Sequence, residues 1–98
     1  MNLQSDIEKV TAVIVTFNRL EKLKISLSKA LQEPLYKIIV VNNNSSDGTK
    51  EWLEQHGDSR LISIHLTENT GGAGGFHTGM KYIDDNIQTD WTLLFDDD

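Results

Sequence analysis

Cysteine is absent from the 98-residue chain. That excludes a disulfide framework and a thiolate metal site. Basic residues are scarce, nine Lys and Arg against fifteen Asp and Glu, for a formal net charge of −6. They are spread out, with no basic patch or helix face, which argues against nucleic-acid binding by phosphate neutralisation. No apolar run approaches the length needed to span a bilayer. The start, Met1-Asn2-Leu3-Gln4-Ser5-Asp6, lacks the charged and apolar regions of a signal peptide, so a cytoplasmic location is the expectation. The length suits one small domain with one core.

What is present is a regular alternation. Residues 1–10 read as a polar leader. Residues 11–17, Thr-Ala-Val-Ile-Val-Thr-Phe, form a β-branched apolar run too continuous for a half-exposed strand. Asn18 is placed to cap a helix whose apolar stripe is Leu20, Leu23, Leu27, Ala30 and Leu31. Pro34, the only proline, falls just beyond that helix. Residues 37–41 are a second buried strand, followed by a loop of turn and capping residues, Asn42 to Thr49. A short helix over 50–56, burying Trp52 and Leu53, and a strand over 61–66 follow. The glycine-rich stretch 67–75 then reads as a loop into a helix over 75–87, with Phe76, Met80, Ile83 and Ile87 on its apolar face. Trp91 to Phe95 reads as a fourth, buried strand, with Trp91 and Trp52 in the core.

Strands alternating with helices predict a parallel sheet covered by helices, the α/β class. Ligands of such sheets sit at the carboxyl ends of the strands. Those ends are residues 16–19, 42–49, 69–75 and 96–98, and every unusual polar or glycine-rich stretch lies among them.

The chain ends on Asp96-Asp97-Asp98. In an extended chain Asp96 and Asp98 share a face and Asp97 points away. Two such carboxylates repel by roughly 0.6 kcal/mol in water at about 7 Å, and by more in a cleft. A hard divalent cation, Mg²⁺ or Mn²⁺, would offset that cost; a solvated acidic turn is the plainer reading. Met1 suggests a natural start, whereas three aspartates straight after a strand suggest a piece of a longer protein.

Two familiar glycine motifs fail. A dinucleotide fingerprint would use Gly72 and Gly74 but meets His77 in place of the last glycine. A P-loop would use Gly74 and Gly79 but has Met80 where lysine belongs, with Lys81 one position late. The glycines serve either close helix-to-sheet packing or backbone approach to a ligand. Asn42, just past a parallel strand, offers a donor and an acceptor to a nucleobase edge. His56, His65 and His77 have no metal-ligand spacing and read as structural or solvated. Ser45 and Ser46 lack a paired base.

Taken in order, residues 13–19, 39–49, 69–76 and 96–98 resemble the amino-terminal, nucleotide-binding part of a family 2 glycosyltransferase. The glycine segment with Phe76 is most similar to the galactofuranosyl- and rhamnosyltransferase branch, which builds cell-surface polysaccharide. The resemblance implies a Rossmann-like parallel sheet of the GT-A fold over residues 11–98, truncated after the fourth strand, with spatial order 3-2-1-4. It implies a UDP- or dTDP-sugar donor, a glycan or lipid-linked acceptor, inversion at the anomeric centre and a Mg²⁺ or Mn²⁺ cofactor. Thr16, Phe17, Asn18, Arg19, Asn42, Asn44, Asp47, Gly72, Asp96 and Asp97 would bind the donor. Asp96 and Asp98 would hold the metal as the D-x-D motif. The catalytic base and acceptor site would lie after Asp98, so this piece alone should not turn over, and Trp91 to Phe95 would be an edge open to self-association. Family members usually carry Asp where this chain has Asn42, to accept from a uracil ring N–H; Asn can accept without charge assistance. A degenerate P-loop module and a non-catalytic α/β binding domain are the alternatives.

Overall fold

The computed structural model describes residues 8–95. The element order is β1 (Val10–Thr16), α1 (Leu20–Leu31), β2 (Lys37–Asn42), α2 (Thr49–Glu54), β3 (Leu61–His65), α3 (Gly71–Asn86) and β4 (Trp91–Phe95). The four strands form one sheet in the order β3-β2-β1-β4, and every pair is parallel. This is the expected topology. The aspartates at 96–98 lie outside the described residues.

The alternation of side chains along each strand splits the core into two layers. Ala12, Ile14, Ile38 and Val40 pack with Leu23, Leu27 and Ala30 of α1 and Leu53 of α2. Val13, Ile39 and Val41 pack on the other face with Ile83 of α3. β1 and β2 are therefore covered on both sides, which is why their runs are continuously apolar. Arg60 closes the far end of α1, donating from Nη2 to the Leu31 carbonyl at 2.8 Å and from Nη1 to that of Glu33 at 3.0 Å.

Three expectations are corrected. First, α3 begins at Gly71, four residues earlier than its composition suggests, so the glycines are helical rather than a loop. Its buried stripe is Gly75, Gly79 and Ile83, while Met80 is exposed. The reason is contact. A Cβ on Gly75 would sit 2.5 Å from Cγ1 of Val15, and one on Gly79 would sit 2.6 Å from Cγ1 of Val13. Only glycine lets the helix lie this close to β1, and that packing outweighs glycine's poor helix propensity. Second, β4 is not buried: Trp91 is 60% exposed and Leu94 49%, because β4 is an edge strand. Trp91 is thus not a core residue. Trp52 is only half-buried, edge-on against His56. Third, Asn18 does not cap α1. It sits at φ 51°, one residue too early, and the cap comes from another loop.

Candidate functional site

The polar loops do gather at the carboxyl edge of the sheet. Thr16 pairs in register with Asn42, and Asn42 with His65, so these three residues form a row across β1, β2 and β3 on the α1/α2 face. Thr16 is 1% exposed, and its Oγ1 has no hydrogen-bond partner. An unpartnered buried hydroxyl is costly, on the order of 1–3 kcal/mol. Asn42 is also buried. Its Oδ1 accepts from the Ser45 backbone N–H at 3.0 Å, and its Nδ2 lies 3.1 Å from Nδ1 of His65. Both ends of the carboxamide are thus engaged within the protein.

The β1–α1 and β2–α2 loops are fastened to each other. Asn18 donates its backbone N–H to Ser45 Oγ at 2.9 Å, and its Oδ1 accepts from the Ser46 N–H at 2.7 Å. Asp47 begins two helices at once. Its Oδ2 accepts from the Leu20 N–H at 3.0 Å, and its Oδ1 accepts from the Thr49 N–H at 3.3 Å and from Thr49 Oγ1. The two backbone bonds satisfy N–H donors that a helix start leaves open. Burial pushes the Asp47 carboxyl up, but the bonds from Thr49 and Leu20 outweigh it and hold the group below its ordinary 3.8. A carboxyl depressed on folding stabilises the fold above its unfolded pKa and stops doing so as pH falls through its folded value. Asp47→Asn should therefore be less stable than the parent at neutral pH. The gap should close as pH drops below about 3.8, as read by chemical denaturation across pH.

Asn43 is a site residue that the sequence reading passed over. It is 2% exposed. Its Oδ1 accepts from the Thr70 N–H at 2.8 Å and from Thr70 Oγ1 at 3.1 Å, and its Nδ2 donates to the Gly71 carbonyl at 2.9 Å. This amide ties the start of α3 to the end of β2. Strand alternation carried one step past Asn42 would have placed it on the α3 side. Asn44 is exposed at φ 64°, and Phe17 is 42% exposed. Asn18, Arg19 and Asp47 line one open cavity of about 420 Å³ with Leu20, Glu21 and Lys22. Gly72 is exposed, with open space where its Cβ would be.

Thus Thr16, Phe17, Asn18, Arg19, Asn42, Asn44 and Asp47 lie together around the ends of β1 and β2, and Gly72 opens α3 at the same edge. Among the described residues no group of His, Asp and Glu could hold a metal ion; Asp96, Asp97 and Asp98 are outside them. The degenerate P-loop has no loop to occupy, since Gly74, Gly79 and Lys81 all lie within α3.

A parallel sheet in this order, with its polar loops at one edge, defines a Rossmann-like α/β domain. A mannosyltransferase from Pyrobaculum calidifontis, solved in complex with GDP-Man and Mn²⁺, is similar to it. The TM-score is 0.65 at 25% identity, over 76% of this chain and 24% of that one. Residues 11–98 match the family model Glycosyl transferase family 2, and the chain belongs to that family. It spans about a quarter of the length of the mannosyltransferase chain. No curated protein sequence matches it. No helix among the described residues is long and apolar enough to cross a membrane.

Proposed function

We propose that this chain is the donor-binding part of an inverting glycosyltransferase, which moves a sugar from a nucleotide-diphosphate donor to an acceptor hydroxyl with help from Mg²⁺ or Mn²⁺. The observation that carries this is the Thr16 hydroxyl, buried and unpartnered, at the ligand edge of a family 2 domain. A bound nucleotide supplies the partner it lacks. Thr16 to Arg19 and Asn42 then flank the nucleoside, with Asn44 and Gly72 beside them. Asp47 acts by holding both loops in place. The donor is a UDP- or dTDP-sugar by resemblance; GDP joins the candidates because the similar mannosyltransferase was solved with GDP-Man.

Asp96 and Asp98 are the proposed metal ligands. Carboxylate oxygens suit a hard cation, and they follow directly on β4, whose Phe95 is in register with Ile14 of β1. Such an ion stabilises the charge of a leaving diphosphate. In this reading a base deprotonates the acceptor hydroxyl of a glycan or lipid-linked substrate.

Calorimetric titration with UDP, TDP, GDP and ATP, with and without Mn²⁺, tests the reading. A nucleoside diphosphate should bind, more tightly with the metal. Binding of ATP in preference to all three would overturn it.

The edge gives a separate prediction. β4 pairs only with β1 among the described residues, and Trp91, Leu93 and Leu94 are exposed. No lysine or proline interrupts residues 91–95, and such an edge pairs readily with another strand. Light scattering at rising concentration should show self-association of this piece. A monomer at millimolar concentration with residues 91–95 protected from exchange would contradict it.

A further inference from the structure

The row at the sheet edge contains a histidine for which neither the fold nor the donor reading has a use. Its geometry fixes a protonation state. The Ser45 backbone N–H donates to Asn42 Oδ1 at 3.0 Å, so the oxygen of that carboxamide is identified by a donor that cannot reverse. The other end of the carboxamide, Nδ2, is then a donor, and it lies 3.1 Å from Nδ1 of His65. His65 Nδ1 must accept. The imidazole is therefore neutral, with its proton on Nε2. Asn42 is 2% exposed, so water does not readily replace a lost partner. Protonating His65 would set N–H against N–H. Relief requires that Asn42 leave the row, that its amide turn over and abandon the Ser45 N–H, or that the half-buried His65 ring swing away; each leaves the carboxamide without the partner that holds it.

We propose that His65 is a positioning residue for the donor nucleotide: in its neutral form it holds the Asn42 carboxamide in place, and its protonation releases Asn42 and weakens nucleotide binding. This rests on the donor-site reading above. Of the elements around it, β2 presents Asn42 and α2 packs against β3. The titratable and charged groups of α2 and the adjoining loops are Asp47, Lys50, Glu51, Glu54 and Glu68, which are exposed, and His56, Asp58 and Arg60, which are half-buried, the last two paired with each other. Asp47 is committed to Leu20 and Thr49. The partner that responds to the His65 proton is Asn42.

The test uses the 98-residue chain with UDP and GDP in Mn²⁺, at about pH 8 and about pH 5.5. Three forms are compared: wild type, His65→Asn and His65→Leu. An Asn side chain carries Oδ1 at the same number of bonds from Cβ as His Nδ1, and that acceptor does not titrate. His65→Asn should bind like wild type at the higher pH. At the lower pH wild type should lose about tenfold more affinity than His65→Asn, the scale of one unsatisfied buried donor. Protonation of the diphosphate itself affects both proteins alike and cancels in that comparison. His65→Leu should be weak at both pH values. Nitrogen chemical shifts of the imidazole should report the Nε2–H tautomer without ligand at the higher pH. Equal pH dependence in wild type and His65→Asn, or an Nδ1–H tautomer, overturns this inference while leaving the donor reading intact. Absence of nucleotide binding in wild type at the higher pH overturns the donor reading and this inference with it.

Discussion

Replacing Asp98 with Asn in an enzyme that carries this segment at full length should reduce metal-dependent sugar transfer by roughly a hundredfold or more, because a metal at a leaving diphosphate is worth several kcal/mol. The substitution keeps the size and one oxygen but removes the charge. Asp96→Asn should fall in the same direction. Asp97→Asn should cost less, since in an extended chain its side chain points to the opposite face. The fold should be unaffected, because the core residues named for both layers lie within residues 10–95. Transfer assays across Mn²⁺ concentration read the effect. Equal activity of Asp98→Asn and wild type at every Mn²⁺ concentration would end the metal assignment.

The second large effect is on stability. Gly75→Ala and Gly79→Ala each force a methyl group to about the middle of an existing contact, 2.5 Å from a Val15 carbon and 2.6 Å from a Val13 carbon. Overpacking of this kind costs about 1–3 kcal/mol per site, and better helix propensity returns at most about 1. The double variant should lose about 2–4 kcal/mol in chemical denaturation, a large part of the stability of a domain this small. Gly72→Ala is the control. Nothing lies within 4 Å of its Cβ position, so it should be neutral or slightly stabilising. If Gly72→Ala and Gly79→Ala had equal cost, close packing of α3 on β1 would not be the reason for the glycines.

Much of the sheet was legible because burial on both faces leaves its own mark. Residues 12–15 and 38–41 are unbroken apolar runs, and β1 and β2 are the two central strands. Leu23, Leu27 and Ala30 are buried where their spacing puts them. The start of α3 was not legible, because propensity counts four glycines in its first five residues against a helix; the deciding term is a contact with valines some sixty residues away in sequence. The exposure of β4 was not legible either. Its composition is that of a buried strand, and what covers a strand is set by its neighbours. In the site, three successive asparagines look alike in sequence but do three different things. Asn42 faces the α1/α2 layer beside Thr16, Asn43 clamps Thr70 and Gly71, and Asn44 turns the chain at positive φ. The true cap of α1 was hidden because Asp47 acts across 27 residues of chain, a distance that no local capping rule sees.

The central claim is that a nucleoside diphosphate occupies the carboxyl edge of β1 and β2. The measurement that tests it most directly is an amide chemical-shift map of the labelled chain during titration with UDP, TDP and GDP in the presence of Mg²⁺. Saturable shifts should appear at Thr16 to Arg19 and at Asn42 to Ser45, and spread to Gly71 and Gly72 through the Asn43 clamp. Shifts confined to residues 74–81, and seen with ATP but with none of the three diphosphates, would contradict it.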